Sequence, residues 1–377
     1  MAITRKSCAI YIITKHGLKH GRRLQEAWPD ADVYVSEKVE DGSIPGALRC
    51  RLPLTPLLQE TFTQYNCHIF VISVGAVVRM IAPLIHDKKV DPAVVCVDDA
   101  ARYAIALLSG HIGRGNEWTD KVAHALQAEA VITTASDVQG TLTVDILGRD
   151  LGWVLEDMHH NVTPACAAVV NERPVLIIQE CGEPHFWPES KALPPGVRYT
   201  THFDGLEPNA WEMLLIVSDR DIPCLYPEAY ARGVVYRPKS LWLGIGCDRG
   251  APRAFLERGI RALLQEFQLS WKAIAGLTSV DLKADEAGLI ELCQAYGWEF
   301  RTYPSEELRE QTGIENPSAR VASFTGTPSV SEAACLRAAG VNQLLVPKQK
   351  YKEADVQQAM TFAVARTSFA PRKIKGD

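Results

Sequence analysis

Apolar runs that alternate with amphipathic stretches characterise the first part of the chain. Continuous apolar segments rich in β-branched residues predict strands that are buried on both faces. Four such runs occur, at residues 67–74, 93–97, 103–108 and 130–134. Helical periodicity follows over residues 76–82 and from about residue 116 to 128. Strands interleaved with helices predict an α/β domain with a largely parallel sheet over residues 1–140.

The pattern is less regular over residues 141–238, where two proline clusters indicate loops and short strands. We expect a small middle region there, ending in a linker at residues 236–240. A second, C-terminal α/β domain over residues 239–377 begins with an apolar strand at 241–246. Helices are expected at about residues 251–267, 285–296 and 330–339. The predicted fold class is therefore α/β throughout.

Composition indicates a core-forming protein, which we expect in the cytoplasm. Hydrophobic residues make up 47% and charged residues 23% of the chain, and no apolar run reaches the roughly 18 residues of a membrane span. The ten cysteines are dispersed without a C-x-x-C pair, which argues against a zinc ribbon or a thiolate-bound cluster. A net charge of −5 without a Lys/Arg block argues against a nucleic-acid surface.

All ten histidines lie between His16 and His202, and residues 203–377 contain none. Histidine is the side chain whose ordinary pKa lies near neutrality, and it is the most frequent general base. Histidine chemistry in this protein would therefore belong to the N-terminal half, and the C-terminal half would contribute binding.

The loop at residues 109–117 has the densest chemistry in that half. Three glycines surround His111, which is a candidate for a water-activating base, and Asn116 is a good N-cap for the helix that follows. Glu117 lies in the first turn of that helix and could support the imidazole. The alternative is that His111 is structural or simply solvated.

A second loop follows the strand at 67–74 and contains Gly75 and Arg79. A glycine after a buried strand lets the backbone approach a ligand, and an arginine one turn into the helix could form a fork to a carboxylate. A tight turn with a surface arginine is the alternative.

The third loop, at residues 244–250, lacks the last glycine of a dinucleotide fingerprint, because Arg249 stands at that position. We expect the loop to present Arg249 to an anion. Gly246 lies in the same turn, and Cys247 is more simply a packing residue than a nucleophile, since this half has no histidine to activate it.

Further anion-binding candidates lie later in the C-terminal half. Ser329, Ser331 and Glu332 open a helix, and a helix N-terminus favours anions. Lys283 lies in a charge run just before another helix, where a solvated charge is the simpler interpretation, and Lys348 could equally be surface charge.

These loops together resemble the CbiG family, the cobalt-precorrin-5A hydrolases of anaerobic cobalamin biosynthesis. The stretches that carry the resemblance in the N-terminal half are VGAVVRMIAP at 74–83, DPAVV at 91–95, LLSGHIG at 107–113 and ITTASD at 132–137. Those in the C-terminal half are GIGC at 244–247, DLKADE at 281–286, SVSEAA at 329–334 and VPK at 346–348. The ordered set covers about residues 65–140 and 241–350 well.

The resemblance implies hydrolysis of a δ-lactone on a cobalt-bearing tetrapyrrole, with loss of a two-carbon fragment as acetaldehyde to give cobalt-precorrin-5B. The cobalt would arrive with the substrate, and neither a protein-bound metal nor another cofactor is expected. Our hypothesis makes His111 the base, supported by Glu117, with Ser109 as a less favoured nucleophile. The residues expected to bind substrate are Gly75, Arg79, Gly110, Gly113, Asn116, Asp137, Gly246, Arg249, Lys283, Ser329, Ser331, Glu332 and Lys348.

Two other classes of function stay open at this point. One is a non-catalytic carrier of corrinoid intermediates, which would bind its ligand without releasing acetaldehyde. The other is a nucleotide-dependent α/β enzyme, which Arg249 and the missing phosphate-loop lysine disfavour. A homodimer and transient contacts with other enzymes of cobalamin synthesis are also left open, whereas no nucleic-acid or membrane partner is expected.

Overall fold

The computed structural model of this protein describes residues 5–39, 44–354 and 357–369. The chain divides into two compact units, an N-terminal unit of residues 1–146 and a C-terminal unit of residues 147–377. In the described part of the chain, no helix is both long and apolar enough to cross a membrane.

The N-terminal unit is built on one mixed sheet. Its strands are β1 (Lys6–Ile12), β2 (Asp32–Ser36), β3 (Leu48–Cys50), β4 (Tyr65–Val71), β5 (Ala93–Val97), β6 (Tyr103–Leu108) and β7 (Glu129–Val131). Its helices are α1 (Gly17–Ala27), α2 (Thr55–Thr61), α3 (Val74–Ile81), α4 (Gly115–Leu126) and α5 (Ala135–Gln139). The strand order among the described residues is β3-β2-β1-β4-β5-β6-β7.

Every neighbouring pair in the described part of this sheet is parallel except β5 and β6, which are antiparallel. The predicted, largely parallel α/β sheet is therefore confirmed. Because β7 is parallel to β6, both strands run against β1, β4 and β5. The carboxyl ends of β6 and β7 thus lie at the edge of the sheet where β1, β4 and β5 begin.

Helices cover both faces of this sheet because its strands are apolar on both sides. Ile10 and Ile12 of β1 pack in one core with α1 and α4, whereas Tyr11 between them faces a second core with α2 and α3. Successive side chains of a strand point to opposite faces of the sheet. A strand without polar residues is therefore buried only when helices cover both faces.

The C-terminal unit has two sheets. The middle sheet contains β8 (Val154–Leu155), β9 (Val175–Gln179), β10 (Val197–Thr200), β11 (Met213–Val217) and β12 (Gly233–Arg237), with helices α6 (Val162–Val170), α7 (Ile222–Leu225) and α8 (Pro227–Ala231). Its order is β10-β9-β11-β12-β8, and the described strands are parallel except β8. The middle region is thus itself an α/β layer, which its irregular sequence pattern did not reveal.

The second sheet of this unit contains β13 (Leu241–Cys247), β14 (Ile274–Val280), β15 (Glu299–Tyr303), β16 (Val346–Lys352) and β17 (Ala359–Arg366). Its helices are α9 (Arg253–Glu266), α10 (Ala287–Tyr296), α11 (Ser305–Arg309), α12 (Ala319–Thr325) and α13 (Val330–Ala339). The order is β15-β14-β13-β17-β16, in which β13, β14 and β15 are parallel and β17 is antiparallel to both of its neighbours.

The linker predicted at residues 236–240 is wrong for its first two residues. Tyr236 and Arg237 are the last residues of β12, and each is only 1% exposed. The Arg237 guanidinium donates to the Glu156 carboxylate at 2.6 Å and to the Ser218 carbonyl at 2.9 Å. These hydrogen bonds offset the cost of burying a guanidinium, whereas the sequence pattern alone predicts a polar surface residue at this position.

An ion pair with a buried carboxylate joins the two sheets of the C-terminal unit. Asp219, which follows β11 and is 0% exposed, accepts hydrogen bonds from Arg366 at 2.5 and 2.6 Å and from Ser240 at 2.7 Å. Arg366 ends β17, and Ser240 immediately precedes β13. This shared network is one physical reason why the middle and last sheets form a single compact unit.

Candidate active site

The direction of two strands brings a histidine and a carboxylate together in the N-terminal unit. The loop at residues 109–114 leaves the carboxyl end of β6, and helix α5 with Asp137 begins just after β7. Since β6 and β7 are parallel neighbours, both segments lie at the same edge of the sheet. His111 and Asp137 therefore meet although 26 residues separate them.

The histidine loop is folded tightly onto its own ends. The N–H groups of Gly115 and Asn116 donate to the carbonyls of Ser109 and Gly110 at 2.9 and 3.0 Å. A Cβ at Gly113 would lie 2.5 Å from Cβ of Ser109, so only glycine fits there without a shift. Ser109 and Arg114 hold left-handed φ values of 56° and 60°, and such backbone strain concentrates at functional sites.

Both ring nitrogens of His111 face carboxylates. Nε2 lies 2.7 Å from Oδ2 of Asp137, and Nδ1 lies 3.3 Å from Oδ1 of Asp145 in a longer, less well aligned charge contact. Ser136 Oγ is a further neighbour of Nε2 at 3.1 Å. The His111 side chain is 18% exposed, so a small molecule can still approach the ring.

This environment raises the pKa of His111 above its ordinary value of 6.5. The Asp145 carboxylate contributes most, burial acts in the opposite direction, and the hydrogen bond to Asp137 adds to the increase. Two flanking carboxylates stabilise the imidazolium, because both ring nitrogens can then donate a proton. His111 is therefore more often protonated near neutral pH than an ordinary histidine.

Asp137 is oriented by more than the histidine. Burial would raise its pKa, but hydrogen bonds from Thr134 and His111 lower the pKa below the ordinary 3.8. Asn116 Nδ2 and Thr134 Oγ1 donate to Asp137 Oδ2 at 2.9 and 2.7 Å. The sequence-predicted residues His111, Asn116 and Asp137 thus form one connected group.

Sequence reasoning missed Asp145, Ser136 and Thr134. Thr134 and Ser136 lie inside the ITTASD stretch, where their distance along the chain from His111 concealed the contact. Asp145 lies in the short 3₁₀ turn Val144–Ile146, beyond the predicted end of the domain at residue 140. No local pattern marks Asp145, and only the folding of the turn onto the histidine loop identifies it.

Glu117 does not supply the carboxylate at either nitrogen of His111, contrary to our expectation. It pairs with Arg114 Nη1 at 3.2 Å and with Lys121 Nζ at 2.7 Å along the outer surface of α4. Helical spacing of three and four residues favours these neighbours. Ser109 remains in the loop with a buried Oγ that has no hydrogen-bond partner among the described residues.

Gly75 and Arg79 lie at the opposite edge of the same sheet. They belong to α3, which follows the carboxyl end of β4, whereas the histidine loop borders the amino end of β5. Gly75 and Arg79 were expected to bind substrate together with the histidine loop, but the antiparallel pairing of β6 with β5 places that loop at the other edge of the sheet. Arg79 is exposed on its helix and does not join the His111 group.

In the C-terminal unit, a cavity of about 890 Å³ brings five of the other predicted residues together: Gly246, Lys283, Ser329, Ser331 and Lys348. They come from the ends of β13 and β14, the start of α13 and strand β16. Burial lowers the pKa of Lys348 below the ordinary 10.5.

The remaining two predicted residues of this unit have other contacts. Arg249 is 62% exposed and pairs with Asp285 at 2.5 Å. A carboxylate of the protein itself therefore occupies the position that we expected for a bound anion. Glu332 is 0% exposed and accepts N–H groups of Asn316 and Lys348, each at 2.9 Å. Its carboxylate thus positions the loop before α12 and the start of β16.

Cys247 lines the cavity, but burial raises the pKa of its thiol to about 11. A thiol held in its neutral form is a poor nucleophile, which agrees with a packing role. No group of three His, Cys, Asp or Glu side chains arranged to hold a metal ion occurs among the described residues.

Three family models match the chain. They are the cobalamin synthesis G N-terminal model at residues 56–137, the cobalamin biosynthesis central region at 142–238 and the cobalamin synthesis G C-terminus at 241–365. A cobalt-precorrin-5A hydrolase from Priestia megaterium is 40% identical over 365 residues, covering 94% of this chain and 95% of that protein.

Two further proteins are similar at lower identity. A cobalt-precorrin-5A hydrolase from Salmonella typhimurium is 31% identical over 334 residues, covering 86% of this chain and 90% of that protein. A crystal structure described as a cobalamin biosynthesis protein G homolog from Sulfolobus solfataricus is 18% identical, covers 98% of this chain and 100% of its own, and superimposes with a TM-score of 0.37.

Proposed function

The chain belongs to the CbiG family of cobalamin synthesis proteins, and from this premise we propose that it is a cobalt-precorrin-5A hydrolase. The observation that carries the proposal is the 40% identity to a protein of that name over 94% of this chain. The His111 group supports it, because a positioned acid–base residue accelerates lactone hydrolysis.

The proposed reaction opens the δ-lactone that joins a ring-A acetate to the extruded meso carbon. Water adds to the lactone carbonyl, the bond from that carbon to the ring oxygen breaks, and a carboxylate and a hydroxyl result. The two-carbon fragment then leaves as acetaldehyde to give cobalt-precorrin-5B. Cobalt is part of the substrate in this proposal, and the protein contributes no cofactor of its own.

We assign both proton transfers of the lactone opening to His111. Its neutral ring, with the proton on Nε2 toward Asp137, takes a proton from the attacking water at Nδ1, where the contact to Asp145 is longer at 3.3 Å, and the imidazolium returns a proton to the departing oxygen. Asp145 and Asp137 stabilise the imidazolium between the two steps, as the raised pKa of His111 indicates. Backbone amides near Gly110 and Gly113 are the candidates for stabilising the oxyanion, and Ser109 is not required as a nucleophile.

Incubation of the purified full chain with cobalt-precorrin-5A tests the proposal. We expect acetaldehyde to accumulate together with the mass of cobalt-precorrin-5B, and heat-denatured protein serves as the control. If the lactone opens but no acetaldehyde forms, the protein is a lactone hydrolase and the proposed loss of the two-carbon fragment is wrong. Binding of the intermediate without any change in its mass would instead identify a carrier.

A further inference from the structure

We propose that the cavity of the C-terminal unit binds a carboxylate group of the tetrapyrrole through the hydroxyls of Ser329 and Ser331 at the N-terminus of α13. The identity of the ligand rests on the proposed function, whereas the anion site itself rests on the structure of this unit.

The first observation is that Ser329 occupies the N-cap of α13 without capping it. Its backbone is extended, at φ −158° and ψ 109°, and its side chain makes no hydrogen bond to the helix. An N-cap serine ordinarily accepts a hydrogen bond from an N–H group of the first turn. Here that hydroxyl is available for a different partner, at the helix end where the macrodipole favours a negative charge.

The second observation is independent of the helix end. Ser329 and Ser331 are each 1% exposed, both line the cavity, and neither Oγ has a hydrogen-bond partner among the described residues. Buried polar atoms in folded proteins nearly always have partners, because leaving one unpaired costs free energy. Two neighbouring exceptions that border one cavity indicate that the partner is a ligand.

The start of α13 is also held rigidly. A Cβ at Gly244 of β13 would lie 1.7 Å from the Ser331 carbonyl oxygen, so the helix contacts the strand directly at this point. The serines are therefore placed by backbone packing and not by flexible side chains. A fixed pair of donors binds a ligand without an additional ordering cost.

Charges of both signs surround the cavity. Lys283, Lys348 and Lys350 line it together with Asp248 and Glu315, while Glu286 pairs with Lys283 and the buried Glu332 lies in the first turn of α13. The Asp248 carboxylate already accepts the Ala359 N–H at 2.8 Å.

Lys283 bonds Glu286 at 3.0 Å, and Lys348 donates to the Asn316 carbonyl, so both ammonium groups are held near the cavity wall. Hydroxyl donors beside ammonium groups suit a carboxylate or a phosphate. The carboxylate is favoured because the proposed substrate has carboxylates around its rim, and the cavity of about 890 Å³ is large enough for such a side arm and part of the ring.

Uroporphyrin III, a tetrapyrrole with carboxylate side chains, is the probe for this site. Its dissociation constant from the full chain is measured by fluorescence titration for the wild type, Ser329→Ala, Ser331→Ala and the double variant. We expect about fivefold weaker binding for each single variant and more than about tenfold for the double variant, since one net hydrogen bond is lost at each position. Ser190→Ala, an exposed serine outside the cavity lining, is the matched control and should bind like the wild type.

Thermal unfolding separates ligand binding from a structural role. Removing a hydroxyl that has no partner should leave the melting temperature unchanged or raise it, so weaker binding with unchanged stability supports the site. Weaker binding accompanied by a lower melting temperature would overturn it. Ser329→Thr keeps the hydroxyl on extended backbone, and it should retain binding within about twofold.

Two further outcomes would overturn the proposal. The first is an equal affinity of all variants for uroporphyrin. The second is that millimolar inorganic phosphate displaces uroporphyrin from the wild type but not from the serine variants, which would identify a phosphate site. If the wild type has no hydrolase activity but the double variant loses uroporphyrin binding, the proposed function is refuted and the carboxylate site is retained. If the wild type is an active hydrolase but the double variant binds uroporphyrin as tightly, the site is refuted and the function is retained.

Discussion

The polar sites of the two units differ in whether their central side chains have hydrogen-bond or charge partners within the protein. In the N-terminal unit, both nitrogens of His111 contact carboxylates of the protein itself. In the C-terminal unit, the hydroxyls of Ser329 and Ser331 are buried without partners among the described residues. Our proposals accordingly assign proton transfer to the first site and ligand binding to the second.

The two sites also arise from different topologies. The cavity of the C-terminal unit follows the rule for parallel sheets, since β13 and β14 end at it and α13 begins there. The His111 group departs from that rule, because β6 runs against β5. The reversed direction of β6, which β7 shares, therefore places the histidine loop at the edge where the other strands of its sheet begin.

The largest effect is expected for His111→Ala. Loss of the acid–base group should lower turnover of cobalt-precorrin-5A by about 10²- to 10⁴-fold while probe binding in the C-terminal unit stays unchanged. Turnover is followed by acetaldehyde release. His124→Ala, an exposed histidine of α4, is the control. Undiminished turnover in His111→Ala would show that the His111 group is not the catalytic site.

A smaller effect is expected for the carboxylates. Asp145→Asn should lower the pKa of His111 toward 6.5, because Asp145 contributes most to the increase, and Asp137→Asn should lower the pKa less. Slower turnover should accompany the larger change, because a less stabilised imidazolium forms less readily when the attacking water gives up its proton. Titration of the His111 ring by NMR measures the pKa directly. An unchanged pKa in both variants would show that the carboxylates do not hold the imidazolium.

Stability should depend on pH through the same group. The pKa of His111 is raised by folding, so its stabilising contribution is fully present below 6.5 and is lost as the pH rises through the raised pKa. The pKa of Asp137 is lowered, so its contribution is present above 3.8 and is lost as the pH falls through the lowered pKa.

The free energy of unfolding of the wild type, measured against His111→Gln, should therefore show its greatest advantage between about pH 4 and 6.5. Denaturant titrations across this range provide the measurement, with His124→Gln as the control. An advantage that grows above neutral pH would have the wrong sign for a stabilised imidazolium.

The smallest effect is expected for Glu117→Gln. This carboxylate pairs with Arg114 and Lys121 on an exposed helix surface, and such pairs contribute about 0–1 kcal/mol to stability. Turnover should stay within about twofold of the wild type, as measured by acetaldehyde release. A loss of turnover comparable to that of Asp145→Asn would indicate that Glu117 supports His111 during the reaction, contrary to the contacts of both side chains.

Local patterning predicted the elements well wherever a strand or helix is strongly apolar. The predicted strands at 93–97 and 103–108 coincide with β5 and β6, and the helix predicted at 330–339 coincides with α13. The middle sheet was missed although β9 and β11 are as long and as buried as β5, because the proline clusters around them indicated loops. The direction of β6 was missed although five residues, 98–102, connect it to β5. A connection that short cannot cross over to make a parallel pair, so the signal was present in the sequence.

The sequence by itself determined the α/β layers and, through family resemblance, pointed to His111, Asn116 and Asp137. Only the tertiary structure decided that Asp145 and not Glu117 contacts Nδ1 of His111, that Arg79 lies at the opposite edge of the sheet, and that two serine hydroxyls are unpartnered. Hydrophobic periodicity is a local property that the sequence displays directly. The partners of a polar group depend on strand direction and on packing between distant segments, and these are settled only when the chain folds.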